Sequence, residues 1–147
     1  MRQNFIEYIY EVFKKMIEVY HFQKKTEMNE GQSYKIQYSS DIFVIKVEKY
    51  FREFYATLYK VNKPNNEINL FNLLEYLNRD NAEVPKSDYF RKEKNIEESY
   101  RKQISHISSV IYDNYDKIDE FFRKENYDSK MAEFEKYWKN KHPEFYT

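Results

Sequence analysis

Residues 40–59 have the sequence SDIFVIKVEKYFREFYATLY, and the spacing of its apolar residues decides the predicted fold. Ser40 and Asp41 are typical N-cap residues, because their side-chain oxygens accept hydrogen bonds from the N–H groups of a first helical turn. After them, apolar residues recur at intervals of three and four, as on one face of an α-helix. That face consists of Val44, Val47, Phe51, Phe54 and Leu58. We therefore predict that this segment is the most buried helix of the protein.

Four other segments show the same spacing. Helices are predicted from about Asn4 to Lys25, from about Ile68 to Asn78, from Asn95 to about Lys124, and from about Asn126 to Pro143. Asn95 followed by Glu98 resembles a capping box, which supports the start of the third of these. Residues 32–39 alternate loosely and are predicted to be a loop, with a short strand as the alternative. Residues 79–94 are polar, contain Pro85, and are predicted to be a long connection.

The composition also favours helices. The chain of 147 residues has one glycine and three prolines, whereas sandwiches and barrels need many turns built on such residues. Aromatic residues make up 20% of the chain, so rings must form much of the core. We predict a single all-α domain over residues 1–147, a bundle of about four to five main helices.

Charge and residue content exclude several classes of protein. The formal net charge is zero, which argues against coating of nucleic acid but leaves room for an RNA enzyme with a small basic pocket. Without cysteine there are no disulfides and no zinc–thiolate sites. Glu7 and Glu11 interrupt the first apolar residues, and no stretch approaches the roughly 18 apolar residues of a membrane span. We predict a cytoplasmic protein without a membrane segment.

The three histidines, His21, His106 and His142, limit the possible metal chemistry. Glu18 and His21 form a Glu-x-x-His pair, but a two-metal helical bundle needs a second such pair. Neither of the other histidines has a glutamate three residues before it. A single glycine cannot build a phosphate-binding loop. We therefore predict no metal site and no cofactor.

One short stretch carries candidate chemistry. Residues 100–106 have the sequence YRKQISH, in which Arg101 and His106 are separated by four residues. An arginine, four residues and a histidine on a late helix resemble the motif of the HEPN superfamily. The resemblance implies a small helical bundle, commonly dimeric, that acts as a metal-independent endoribonuclease in toxin–antitoxin or antiphage systems.

The residues suit that chemistry, because RNA carries its own nucleophile in the 2′-hydroxyl group. His106 can transfer protons near neutral pH. Arg101 can stabilise the phosphate as a permanently charged planar donor. Lys102 can add positive charge, and Ser105 or Tyr100 can orient the scissile group. The predicted function is RNA cleavage, with Arg101 and His106 catalytic and the other three residues binding RNA.

The alternative is a non-catalytic helical interaction protein, such as an antitoxin, an immunity or inhibitor protein, or a degenerate HEPN scaffold. In that case Arg101 pairs with Glu97 or Glu98 on the helix surface and His106 flanks the core. Tyrosine is enriched at interfaces, and the chain has 16 tyrosines. The expected partners are RNA, an antitoxin or other protein, and a second copy of the chain. We predict a homodimer with the helix from Tyr100 to Phe121 at or near its interface.

Overall fold

A computed structural model describes residues 4–146, and residues 1–3 and 147 lie outside the described part. Its elements follow one another as a helix, five strands, four helices and a 3-10 turn. They are α1 (Asn4–Tyr20), β1 (Gln23–Glu30), β2 (Ser33–Ser39), β3 (Phe43–Tyr50), β4 (Glu53–Lys60), β5 (Ile68–Asn69), α2 (Leu70–Leu77), α3 (Ile96–Asp113), α4 (Tyr115–Phe122), α5 (Tyr127–Lys141) and the 3-10 turn (Pro143–Tyr146). The strands form one antiparallel sheet in the order β1-β2-β3-β4-β5.

The prediction of an all-α bundle of four to five main helices is therefore wrong, and so is the HEPN-like architecture. The error lies in residues 40–59, which form the β3–β4 hairpin instead of a helix. Within each strand, every second side chain belongs to the core: Phe43, Ile45 and Val47 in β3, and Phe54, Ala56 and Leu58 in β4. Branched and aromatic residues pack well on a pleated sheet, and this preference overrides the three-and-four spacing.

The turn of this hairpin contains no glycine. Tyr50 pairs with Glu53, so Phe51 and Arg52 form a two-residue turn. Phe51 has a φ of +56°, a left-handed conformation that costs about 1–2 kcal/mol for a residue with a Cβ atom. Hairpin turns of this kind are usually recognised by glycine or asparagine at such a position. Because a phenylalanine stands there, the sequence contains no turn signal.

Three further boundaries differ from the predictions. The first helix ends at Tyr20, because β1 begins at Gln23. Residues 32–39 are not a loop, and the alternative of a strand is confirmed by β2. The long helix predicted from residue 95 to about 124 is two helices, α3 and α4, with a break at Asn114. The predictions for α2, for α5 and for a non-helical connection at residues 79–94 are confirmed.

The core lies on one face of the sheet, beneath α1 and α3. Phe5 of α1 packs edge-on against Tyr34 of β2 and Phe54 of β4, and Phe13 stacks on Tyr38. The seam of α3 is buried in the same core: Ile104, Ile107 and Ile111 are 1%, 4% and 0% exposed. The chain itself therefore covers the seam on which the dimer interface was predicted, and the homodimer stays a prediction. Among residues 4–146, no helix combines the length and the apolar character needed to cross a membrane.

Candidate functional site

Three adjoining clefts follow the connection between α2 and α3. The first, of about 910 Å³, is formed by residues 87–94 and Lys102 of α3. A second, of about 540 Å³, continues it toward α2 and α5 and shares Ser87 with it. A third, of about 270 Å³, shares residues 89–91 with the first and reaches Arg52 in the β3–β4 turn. We call these three clefts together the loop groove.

Two buried polar residues of α3 hold the walls of the loop groove. Ser99 Oγ lies 3.4 Å from the carbonyl oxygens of residues 89–90. One helical turn later, Gln103 Nε2 donates to the carbonyl oxygen of Arg52 at 2.9 Å, and Gln103 Oε1 accepts from the N–H of Phe54 at 2.9 Å. Gln103 Nε2 also lies 3.2 Å from Ser99 Oγ. The connection and the hairpin turn are thus both anchored to the same helix by a buried hydrogen-bond network, which preorganises the groove.

Of the predicted site residues, Lys102 lines the loop groove, and His106 contacts residues that line it. They are four positions apart on α3 and therefore share one face. Lys102 Nζ lies 2.7 Å from Glu93 Oε2. His106 Nε2 lies 2.7 Å from the carbonyl oxygen of Lys86, and because a carbonyl only accepts, Nε2 carries the proton. The imidazole also stacks on Phe71, with ring centroids 5.5 Å apart.

The other three predicted residues do not reach the groove. Arg101 Nε donates to Glu98 Oε2 at 3.1 Å on the surface of α3, as the alternative hypothesis predicted. Ser105 is exposed, and Tyr100 packs edge-on against Phe5 in the core. The structure therefore places the proposed catalytic pair on different faces of α3. The catalytic roles themselves stay a prediction.

Positive charge predominates in the first two clefts. Seven cationic and three acidic side chains line them, which leaves an excess of four positive charges on a chain whose formal net charge is zero. The cations are Arg79, Lys86, Arg91, Lys92, Lys94, Lys102 and Lys141, and the acids are Glu75, Asp88 and Glu93. The carboxylate of Glu75 already accepts hydrogen bonds from Tyr137 and His142.

Three of the seven cations are in ion pairs and four are not. The paired ones are Arg79 with Glu133 at 2.9 Å, Arg91 with Glu53 at 2.5 Å, and Lys102 with Glu93. The others have no carboxylate within 4.0 Å among the described residues. These are Lys86, Lys92, Lys94 and Lys141. Four ammonium groups along the groove are therefore available to an anion from outside.

Two of these ion pairs, Lys102–Glu93 and Arg91–Glu53, contain a carboxyl whose pKa is lowered. The hydrogen bond from Lys102 holds the pKa of Glu93 below its usual value. Hydrogen bonds from Arg91 and Tyr55 lower the pKa of Glu53 in the same way. The bond that Glu53 accepts raises the pKa of Tyr55 to about 12. The carboxylates stay ionised and the phenol stays neutral, so these groups do not titrate near pH 7.

Aromatic rings line the groove together with the cations. Those lining the first two clefts are half-buried: Phe71, Tyr89, Phe90 and Tyr137. The guanidinium carbon of Arg91 lies 4.9 Å from the centroid of the Tyr89 ring. Phe90 has a φ of +48°, which residues with a Cβ atom rarely adopt. The groove therefore offers flat apolar surfaces next to positive charge.

Sequence reasoning missed this site. Residues 88–94 have the sequence DYFRKEK, in which two aromatic and three basic side chains stand close together. That mixture of rings and cations was the available signal, but a polar segment with a proline was predicted only as a connection. Ser99 and Gln103 gave no signal, because their partners lie on other elements.

No metal site is visible in the described part of the chain. Within residues 4–146, no three histidine, aspartate or glutamate side chains come together as ligands. Of the Glu18–His21 pair, Glu18 lies 3.9 Å from Lys14. His21 is exposed beyond the end of α1, with a φ of +60°.

Comparison with protein-family models, with curated proteins and with solved structures finds no match to this chain. The HEPN resemblance depended on the motif from Arg101 to His106 and on an expected helical bundle. The five-stranded sheet rules out that bundle, and no family model supports the motif. The assignment to the HEPN superfamily is therefore wrong, and a function has to follow from the loop groove itself.

Proposed function

We propose that this protein binds a single strand of RNA in the loop groove. One observation carries the proposal. Four lysines without carboxylate partners among the described residues line a groove that also presents aromatic rings, on a chain with no net charge.

The lysines suit the phosphates of a nucleic-acid backbone. Lys86 and Lys141 line the second cleft, and Lys92 and Lys94 line the first, so the cations extend along the groove instead of forming one point site. A phosphate backbone is a line of charges, and release of its counterions drives binding. Because the chain as a whole is neutral, this attraction is confined to the groove.

The rings suit unpaired bases. Tyr89 and Phe90 line the first cleft, and Phe71 and Tyr137 line the second. Stacking on aromatic side chains requires bases that are not already stacked in a duplex. Arg91 adds a planar cation beside Tyr89. These features favour a single strand over double-stranded RNA.

The proposal is tested by fluorescence anisotropy with a labelled single-stranded RNA of about 12 nucleotides. Four phosphate contacts predict that log K falls with log salt concentration with a slope of about −3. The triple variant Lys86→Ala, Lys92→Ala, Lys94→Ala is expected to bind roughly 100-fold more weakly near 0.1 M salt, with the slope reduced by about 2.

A matched control removes three exposed lysines that line none of the three clefts, in the variant Lys63→Ala, Lys124→Ala, Lys136→Ala. The control variant is expected to bind like the wild type. Equal losses in the two triple variants, or no binding by the wild type at low salt, would overturn the proposal. An RNA duplex of the same sequence is measured alongside and is expected to bind more weakly than the single strand, because its bases are already stacked on one another.

RNA cleavage is a second candidate, favoured by the position of His106 on the face of α3 that borders the groove. Of the two predicted cations, Lys102 lines the groove and Arg101 does not. The assay is incubation of RNA with protein in EDTA, comparing the wild type with His106→Ala and Arg101→Ala. Cleavage lost only in His106→Ala supports this candidate. Intact RNA with the wild type, or equal cleavage by His106→Ala, rejects it and leaves binding alone.

A further inference from the structure

Two aromatic rings stand exposed at the end of the loop groove. Tyr50 and Phe51, at the tip of the β3–β4 hairpin, are 59% and 51% exposed. Their rings meet edge to face with centroids 4.4 Å apart. Neither ring contributes to the core, so packing within the chain does not explain them.

The backbone holds Phe51 in an unfavourable conformation. Its φ of +56° matches the +58° of Gly31 in the neighbouring β1–β2 turn, where glycine avoids the strain. The N–H of Phe51 donates to the carbonyl oxygen of Gln32 at 3.3 Å. From the other side, Gln103 binds the backbone of Arg52 and Phe54. A strained residue that its surroundings fix in place is often part of a functional site.

The tip is continuous with the groove. Arg52, next to Phe51, lines the third cleft together with Tyr89 and Arg91, which also line the first. A strand that follows the cations toward the sheet therefore passes Arg52 and ends at the tip. The guanidinium of Arg52, the next residue along the chain, provides positive charge for a phosphate in the third cleft.

We propose that Phe51, with Tyr50 against its edge, is a stacking platform for a nucleobase at the end of the loop groove. This inference rests on the proposed binding of RNA and adds a base-contacting residue outside the cation-lined clefts. Stacking accepts any base, so the platform contributes affinity without strong sequence preference.

The test uses Phe51→Gly, which removes the ring at a φ that glycine adopts without strain and so preserves the turn. This variant is expected to bind RNA about tenfold more weakly than the wild type, with an unchanged salt dependence, because no charge is lost. Phe51→Trp is expected to bind at least as tightly. The control is Phe145→Ser, which removes a ring that is 75% exposed and lies outside the groove.

A site-specific readout uses RNAs carrying 2-aminopurine at one position each. The wild type is expected to quench the 2-aminopurine fluorescence when the label lies near one end of the strand. Phe51→Gly is expected to lose the quenching at that position and at no other. An abasic nucleotide at that position should lower the affinity of the wild type for RNA about tenfold and leave the affinity of Phe51→Gly unchanged.

Equal affinity and equal quenching in the two proteins would overturn the proposed platform without affecting the proposal that RNA binds in the groove. A wild type that binds no RNA would reject the proposed function itself, and the exposed rings would then indicate a protein interface.

Discussion

The first residue of the turn has the same left-handed backbone conformation in both hairpins of the sheet, but it is glycine in one hairpin and phenylalanine in the other. Gly31 and Gln32 connect β1 to β2, Phe51 and Arg52 connect β3 to β4, and the first residue of each turn has a φ near +57°. Glycine adopts this conformation without a steric penalty, whereas phenylalanine is strained. The β1–β2 turn therefore only reverses the chain. The β3–β4 turn keeps an exposed ring at an energetic cost, which is the reason to regard it as functional.

The supports of the two hairpins also differ in chemistry. Glu27 holds the first hairpin to α1 by accepting hydrogen bonds from Tyr10 and Tyr34, both at 2.6 Å. The second hairpin is held by the neutral side chain of Gln103, which is 1% exposed. One support is ionised and partly exposed, and the other is an amide in the core. Four experiments test whether the two hairpins differ in stability in the way that these supports predict.

The largest effect is expected for Gln103→Ala. The change leaves the buried N–H of Phe54 and the carbonyl oxygen of Arg52 without their partner and opens a small cavity. We expect the free energy of unfolding to fall by about 3 kcal/mol in urea denaturation, whereas Gln32→Ala in the other turn changes it by less than about 0.5 kcal/mol. Similar small effects from both variants would show that the second hairpin does not depend on its helix.

Gly31→Ala comes next and should destabilise the first turn. A Cβ atom at this position meets no other atom within 4 Å, so the cost is conformational and not steric crowding. We expect a loss of about 1 kcal/mol from the left-handed φ, measured by urea denaturation. If the variant is as stable as the wild type, the penalty assigned to this conformation is too high for Phe51 as well.

Acid should weaken the link between the first hairpin and α1, because that link depends on an ionised carboxylate, whereas the amide of Gln103 does not titrate. Burial alone raises the pKa of Glu27, but hydrogen bonds from Tyr10, Tyr34 and Lys24 outweigh it and hold the pKa below its usual 4.5. A carboxyl whose pKa is lowered by folding stabilises the protein above about pH 4.5, and this stabilisation is lost as the pH falls through the folded-state value.

Hydrogen exchange of the wild type is expected to show lower protection in β1 and β2 as the pH falls through this range, and Glu27→Gln is expected to show that lower protection already at pH 7. The corresponding stability difference between wild type and Glu27→Gln should be about 1 kcal/mol at pH 7 and should shrink in acid. Unchanged protection of β1 and β2 in acid, or equal protection in the wild type and Glu27→Gln at pH 7, would contradict this prediction.

The smallest effect is expected for Phe51→Gly, and its sign is opposite to that of Gly31→Ala. Removing the Cβ atom relieves the left-handed strain, and glycine's greater freedom in the unfolded chain offsets part of the gain. We expect unfolding to become harder by about 0.5 kcal/mol, measured by thermal and urea denaturation. A variant that is more stable but binds RNA more weakly would separate the ring's role from folding. Loss of stability would mean that the ring supports the fold.

Much of the helical part could be predicted from the chain, because helices depend on neighbours within four residues. Asn95 caps α3 through the N–H of Glu98, as its spacing indicated. Arg101 pairs with Glu98 for the same local reason. In the candidate site, Lys102 and His106 were identified from sequence, but the residues opposite them were not. Lys86 and Glu93 lie 20 and 9 residues away along the chain, so no local pattern connects them to α3.

The sequence by itself determined which segments after β5 are helical, apart from the break at Asn114, together with the position of the connection between α2 and α3 and the zero net charge. Only the tertiary structure decided that residues 40–59 form a hairpin and that the cations gather in one groove. The physical reason is the support from α3. Gln103 satisfies the backbone of the Phe51–Arg52 turn from 49 residues beyond Phe54, and Ser99 binds the connection from the same helix. Such partners compensate for a strained turn without glycine, and they become neighbours only when the chain has folded.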